Sequence, residues 1–242
     1  MIQNKKLFIF VLLSILIQSY LIYKSDMLYS SLPFTDGVPI SPSFVIINRY
    51  LINWYLPVVA ISFYISGYME ESLSKYGKFL IVRSYSKTLW VLNQFSKLVI
   101  NLFLFASFQL ISFWVGPFLE IRYSLDHLIL LISLYYLTLL TLFCIQIYLE
   151  LFLSQQLSLL IVNGYIILSI VISSSFSNGK TGGLLNYFLL PNFGMGLKNG
   201  LSSVNAFQPT NLNYLFCLII LITLIFIIVA LTIRRFNRVD IL

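Results

Sequence analysis

Charge is what this sequence has least of: 10% of its 242 residues are Asp, Glu, Lys or Arg, and only eight are acids. A soluble domain carries about a quarter charged residues, so this shortage excludes an ordinary water-soluble fold. The 59% apolar content and a mean hydropathy of +0.92 exclude it too. Histidine is nearly missing, with His127 alone, and the two cysteines, Cys144 and Cys217, both fall inside apolar runs. Neither a disulfide framework nor a Cys/His metal site can be assembled from them. The apolar runs have the length of membrane-spanning helices, roughly 20 residues, and do not alternate as barrel strands would. The expected class is therefore an all-α membrane protein forming a single transmembrane domain.

Six spans are expected, over residues 7–23, 50–68, 98–115, 128–149, 157–172 and 214–233. The first follows Lys5 and Lys6, as a signal peptide would, but no small-x-small cleavage site follows it and it is read as uncleaved. Residues 26–48 hold Pro33, Gly37, Pro39 and Pro42, which predicts an irregular loop with at most a short helix. Pro57 within the second span frees a backbone carbonyl that a neighbouring group must satisfy. The fifth span is the weakest, because it is short and contains Asn163-Gly164, a turn signal in soluble proteins. With both termini in the cytoplasm, ten cations lie inside and five outside, as the positive-inside rule requires. That distribution accounts for the net charge of +7 without a nucleic-acid partner.

Residues 70–97 hold the one dense internal run of charge, including Lys75, Lys78, Arg83, Lys87 and Lys97. Leu73, Tyr76, Gly77 and Leu80 follow helical spacing, with Glu71 four residues before Lys75 on another face, which predicts a short amphipathic helix at the inner membrane surface. Charge alone leaves two readings open, a loop held by anionic headgroups or a docking site for a partner.

The run Glu71, Gly77, Arg83-Ser84-Tyr85-Ser86-Lys87, and then Lys97 at the head of an apolar stretch, resembles the first cytoplasmic loop of ABC-2 type permeases, the membrane subunits of ABC exporters. The ending Arg234-Arg235-Phe236-Asn237-Arg238-Val239-Asp240-Ile241 is similar to the short tail that follows the sixth helix in that family, although Gly77-Lys78 stands where the family commonly has Gly-Thr. The resemblance implies that Glu71, Ser74, Lys75, Tyr76, Gly77 and Arg83 belong to a coupling helix that docks on a separate cytoplasmic ATPase. It implies a second permease copy or a related permease as partner, and a partly re-entrant region over residues 182–209. The implied cargo is an amphipathic peptide or lipid-like molecule moved across the bacterial cytoplasmic membrane, with bacteriocin-type export or immunity as the version to test first. ATP and Mg would sit on the partner, so this chain needs no cofactor.

Motifs for chemistry within the chain itself fail. Gly179-Lys180-Thr181 ends like a phosphate-binding loop, but Ser174 stands where the pattern needs a Gly. Glu70-Glu71 loosely resembles the paired glutamates of CAAX-type membrane proteases, yet a second His is missing and His127 falls on the opposite side. The chain is read as not an enzyme. Lys97 and Asn101 share a face of the third span, and Gln146 and Glu150 share one at the inner end of the fourth. These four are candidates for a translocation or gating stripe, with interhelical hydrogen bonding as the alternative for the amides. Glu150 is left an open case, since it could pair with Lys97 or an Arg at its depth. A membrane protein that binds a partner or confers immunity without transport is the second functional reading, and an intramembrane enzyme the third.

Overall fold

A computed structural model describes residues 5–25, 32–41, 43–72, 86–115, 125–175, 185–202, 204, 207 and 212–238. Its helices are α1 (Lys5–Lys24), α2 (Pro33–Asp36), α3 (Phe44–Ile65), α4 (Tyr68–Ser72), α5 (Lys87–Trp114), α6 (Leu125–Leu149), α7 (Gln155–Ser175), α8 (Gly196–Asn199) and α9 (Tyr214–Asn237). Two 3-10 turns, Asn186–Phe188 and Leu190–Gly194, precede α8. Six helices, α1, α3, α5, α6, α7 and α9, are long and apolar enough to cross a membrane, the make-up of a multi-pass membrane protein.

The expected spans are all present, and several are longer than their apolar cores. α3 begins at Phe44 rather than at residue 50, so Arg49 lies inside the helix. α5 begins at Lys87, eleven residues before the expected start, because Ser86 caps it: the Ser86 hydroxyl accepts from the Leu89 N–H at 3.2 Å. Lys87 and Lys97 are therefore helical residues and not part of a loop. Asn213 caps α9 in the same way, accepting from Leu215 and Phe216 N–H groups. At the other end of α9, Arg234 and Arg235 occupy the last turn, where cations complement the helix dipole. α7 runs unbroken through Asn163-Gly164, so the fifth span is a full-length helix of 21 residues. A Cβ on Gly164 would meet nothing within 4 Å, and the Asn163 side chain donates back to the Leu159 carbonyl at 2.8 Å without ending the helix.

α6 is the axial helix. In its most apolar window 56% of residues are buried inside the bundle, against 22% in α9 and 28% in α1. The exposed faces of α1 and α9 carry Ile9, Phe10, Leu13, Ile219, Phe226 and their like, which suits lipid and not water. One end of the bundle gathers the first turn of α1, the end of α3, the start of α5, the α6–α7 turn and the end of α9. Phe8 packs edge-on against Tyr64 there, Trp90 stacks on Phe236 at 4.9 Å, and the Lys87 ammonium donates to the Asn237 carbonyl at 3.4 Å. At the opposite end, residues 185–202 fold inward between α6, α7 and α9. Phe193, Met195, Asn192 and Lys198 are fully buried, and Leu190, Leu201, Leu212, Cys217 and Leu221 form a satellite core around them.

Candidate functional site

Two layers of buried polar side chains link the long helices to one another, and the first has a cause in α3. Pro57 has no N–H, so the carbonyl of Asn53 loses its partner within α3. Gln18 of α1 supplies the missing donor, its Nε2 lying 3.0 Å from that carbonyl. The oxygen of Gln18 accepts from Gln109 Nε2 at 3.1 Å, and the oxygen of Gln109 accepts from the Tyr135 hydroxyl at 3.1 Å. Four helices are thus pinned by one chain of amides, with both Gln side chains fully buried.

The second layer joins α3, α6 and α7. Ser62 donates to Gln146 Oε1 at 2.8 Å, while Gln146 Nε2 donates back to the Ser62 carbonyl at 3.0 Å. Asn163 Nδ2 reaches the Ser62 hydroxyl at 2.8 Å, and the Tyr55 hydroxyl donates to Asn163 Oδ1 at 2.6 Å. Gln146 is therefore a link between helices and not part of an open stripe.

One turn beyond Gln146, Glu150 completes the seam at the surface of the bundle. α3 ends with Ser66 and Gly67, the latter at φ +73°, a conformation that glycine adopts without penalty. This elbow turns the chain into α4 and aims the Gly67 N–H at Glu150 Oε1, 3.1 Å away. On α4, Glu70 Oε2 accepts from Gln155 Nε2 at 2.6 Å, at the start of α7. The elbow of α3 and α4 is thereby tied to both sides of the α6–α7 turn. A pocket of about 260 Å³ lies within this joint, lined by Met69, Glu70, Glu150, Ser154, Gln155 and Phe236 among others. Burial, more than any other influence, pushes the Glu150 carboxyl up from its ordinary 4.5 to about 7; the Gly67 hydrogen bond and the nearby Gln146 amide oppose the shift and the nearby Glu70 adds to it.

The residues singled out from the sequence divide accordingly. Gln146 and Glu150 do share one face of α6 and meet α3 through it. Lys97 and Asn101 lie on α5 and take no part in this joint; Asn101 is buried and Lys97 half-buried. The open question of Glu150 is answered for the described residues: its carboxyl receives a backbone N–H at Oε1 and not a Lys or Arg, and its Oε2 is buried without a hydrogen-bond partner. Glu71 lies in α4 next to its last residue, half-buried, whereas Ser74, Lys75, Tyr76, Gly77 and Arg83 lie outside the described residues. Sequence reading missed Gln18, Ser62, Gly67, Gln109 and Gln155. The amides were visible as polar residues in apolar helices, but nothing in the chain order said which of them meet.

Lys198 was also counted only as an outer cation. It is fully buried, its ammonium donating to Asn192 Oδ1 at 2.8 Å, to the Ile170 carbonyl at 3.4 Å and to the Ser173 hydroxyl. Three oxygen acceptors match the three N–H groups of an ammonium and fasten the inward-folded segment to α7. Gly194 permits this close seating, since a Cβ there would lie 3.0 Å from the Thr138 side chain. Among the described residues no group of three or more His, Cys, Asp or Glu side chains is placed to hold a metal ion.

Comparison with known proteins places the chain without assigning it a reaction. It is 31% identical over 217 residues to the uncharacterized protein YybK of Bacillus subtilis strain 168, with 87% of this chain and 86% of that protein covered. No solved structure matches. A family model described as "Protein of unknown function (DUF2705)" matches residues 11–242, and the chain belongs to that family.

Proposed function

We propose that this chain is the permease subunit of an ATP-driven exporter of the ABC-2 type, set in the bacterial cytoplasmic membrane with both termini inside. The observation that carries the reading is the joint itself. The segment that would meet a cytoplasmic ATPase follows the Gly67 elbow and α4 in the chain, and elbow and α4 are bonded to Glu150 and Gln155 on either side of the α6–α7 turn. A displacement of the segment beyond Ser72 therefore acts on the axial helix α6 and its neighbour α7 at once. Packed elements with discrete bonding arrangements carry such a displacement better than a free loop does.

The inward-folded residues 185–202 support the same reading as a partly re-entrant plug at the outer mouth. Irregular backbone is tolerated at membrane depth where protein buries it, as α6 and α7 do here. Six spans per subunit suit a permease that works as a pair, with itself or with a related chain, around a path for an amphipathic peptide or lipid-like cargo. ATP and Mg belong to the ATPase, and this chain supplies no catalysis.

Co-expression with an ATPase encoded beside it tests the reading. The two proteins are expected to co-purify, and Glu71→Arg or Gly77→Pro to abolish the complex or the coupling of its ATPase to transport. Full biological activity in cells lacking any partner ATPase would replace this reading with that of a non-transporting immunity or partner-binding protein.

A further inference from the structure

The turn after α6 buries a carboxyl group whose hydrogen bonding is half made. Glu150 Oε1 accepts from Gly67, and Oε2 is buried with nothing donating to it. An ionised oxygen in that position receives no hydrogen bond from the protein in exchange for the hydration it gives up, whereas the neutral acid carries a hydrogen there and removes the charge. The same pocket is lined by Glu70, whose carboxylate is already committed to Gln155. Two carboxylates around one pocket of about 260 Å³ repel when both are ionised, and a single proton relieves the repulsion.

We propose that this pocket is a proton-binding site, with Glu150 as the carrier and Glu70 as the second carboxyl of the pocket, and that the bound proton holds the α3–α4 elbow against the α6–α7 turn. Binding forms one O–H bond on Glu150. The proton comes from water reaching the pocket and returns to it when the joint opens. Among the described residues no cation is seen against Glu150: α1 brings Lys5 and Lys6 to this end in its first turn. α4 brings Glu70 and Glu71, and α7 brings the amides Gln155 and Gln156. α9 brings Arg235, whose guanidinium lies over the Phe152 ring at 4.9 Å, and α5 brings Lys87, which donates to Asn237. A carboxyl that titrates near neutrality, as burial makes this one, converts a modest change of pH into opening or closing of the joint. The inference goes beyond the transport reading and does not require it, since it concerns the isolated chain.

The full chain in lipid nanodiscs, titrated across neutrality by difference infrared spectroscopy, tests the site. A carboxylic acid C=O band is expected to disappear as the pH rises, to be missing in Glu150→Gln, and to move to lower pH in Glu70→Gln, where the like charge is gone. Spin labels on cysteines placed at Ser66 and Gln156 test the latch. Their separation is expected to lengthen over the same titration in the otherwise native chain and to stay short at every pH in Glu150→Gln, which mimics the neutral acid. The proposal is overturned if no such band titrates near neutrality, if the band survives Glu150→Gln, or if the label distance ignores pH. Should Glu150→Gln not fold, the Glu70→Gln shift reads the same site with Glu150 intact. No ATPase or cargo enters the measurement, so its failure leaves the permease reading standing, and failure to find an ATPase leaves the proton site standing.

Discussion

Gly67 and Glu150 together show how much of this joint rests on single residues. Alanine at Gly67 would have to adopt the left-handed conformation at a cost of about 1–2 kcal/mol. Its Cβ would also fall 2.7 Å from the Gln155 amide and displace it from Glu70. Gly67→Ala is therefore expected to lower the thermal unfolding temperature in detergent and to loosen the start of α7, seen as faster hydrogen exchange there. Glu150 sets a pH dependence whose sign is fixed by its raised pKa. The folded chain holds the proton up to about 7 and the unfolded chain only to about 4.5, so its stabilising contribution is complete below the lower value and lost as pH rises through the upper one. Melting temperature should fall across that window in the native chain and stay flatter in Glu150→Gln.

At the scale of elements, a proline in a spanning helix is compensated by an amide on its neighbour. Removing that amide with Gln18→Leu takes away the donor that meets the Asn53 carbonyl and the oxygen that accepts from Gln109 Nε2. The expected loss is about 1–3 kcal/mol. Pro57→Ala restores the N–H that the Asn53 carbonyl lacks within α3, so Gln18→Leu should cost measurably less in that background. A double-mutant cycle by denaturant unfolding in bicelles reads the coupling, and strictly additive effects would refute the compensation. The element boundaries follow a related logic. Ser86 and Asn213 are caps legible in the sequence, yet the apolar run that marks the third span begins eleven residues after its helix does. A helix continues past the bilayer wherever its side chains find packing, as Trp90 does against Phe236. Hydropathy records the membrane's thickness, and the neighbours decide the helix's length.

Across the whole molecule, the six long helices gather the charged segment's root, the α6–α7 turn and the end of α9 at one end, and the buried Lys198 cluster at the other. In the proposed orientation the first end faces the cytoplasm. Reporter tags attached before Lys5 and after Arg238 are both expected to be protected from added protease in intact cells, and a cysteine introduced at Phe188, which is largely exposed at the opposite end, to react with an impermeant reagent. Tags exposed on the outside would invert the orientation and remove the ATPase reading with it.

Class, span number and the location of charge were determined by the sequence alone, because a bilayer imposes a length and a polarity on every helix and both are local properties of the chain. Asn163-Gly164 shows where local signals mislead: a turn pair in water remains helical in α7, since Asn163 finds Ser62 and Tyr55 across the bundle. The joint at Glu150 was decided only by the tertiary structure. Glu150, Gly67 and Gln155 are separated in the chain, and nothing in their order distinguishes a carboxylate that pairs with a lysine from one that caps an elbow. Depth and direction of the side chain make that choice, and both are set by how α3, α6 and α7 pack.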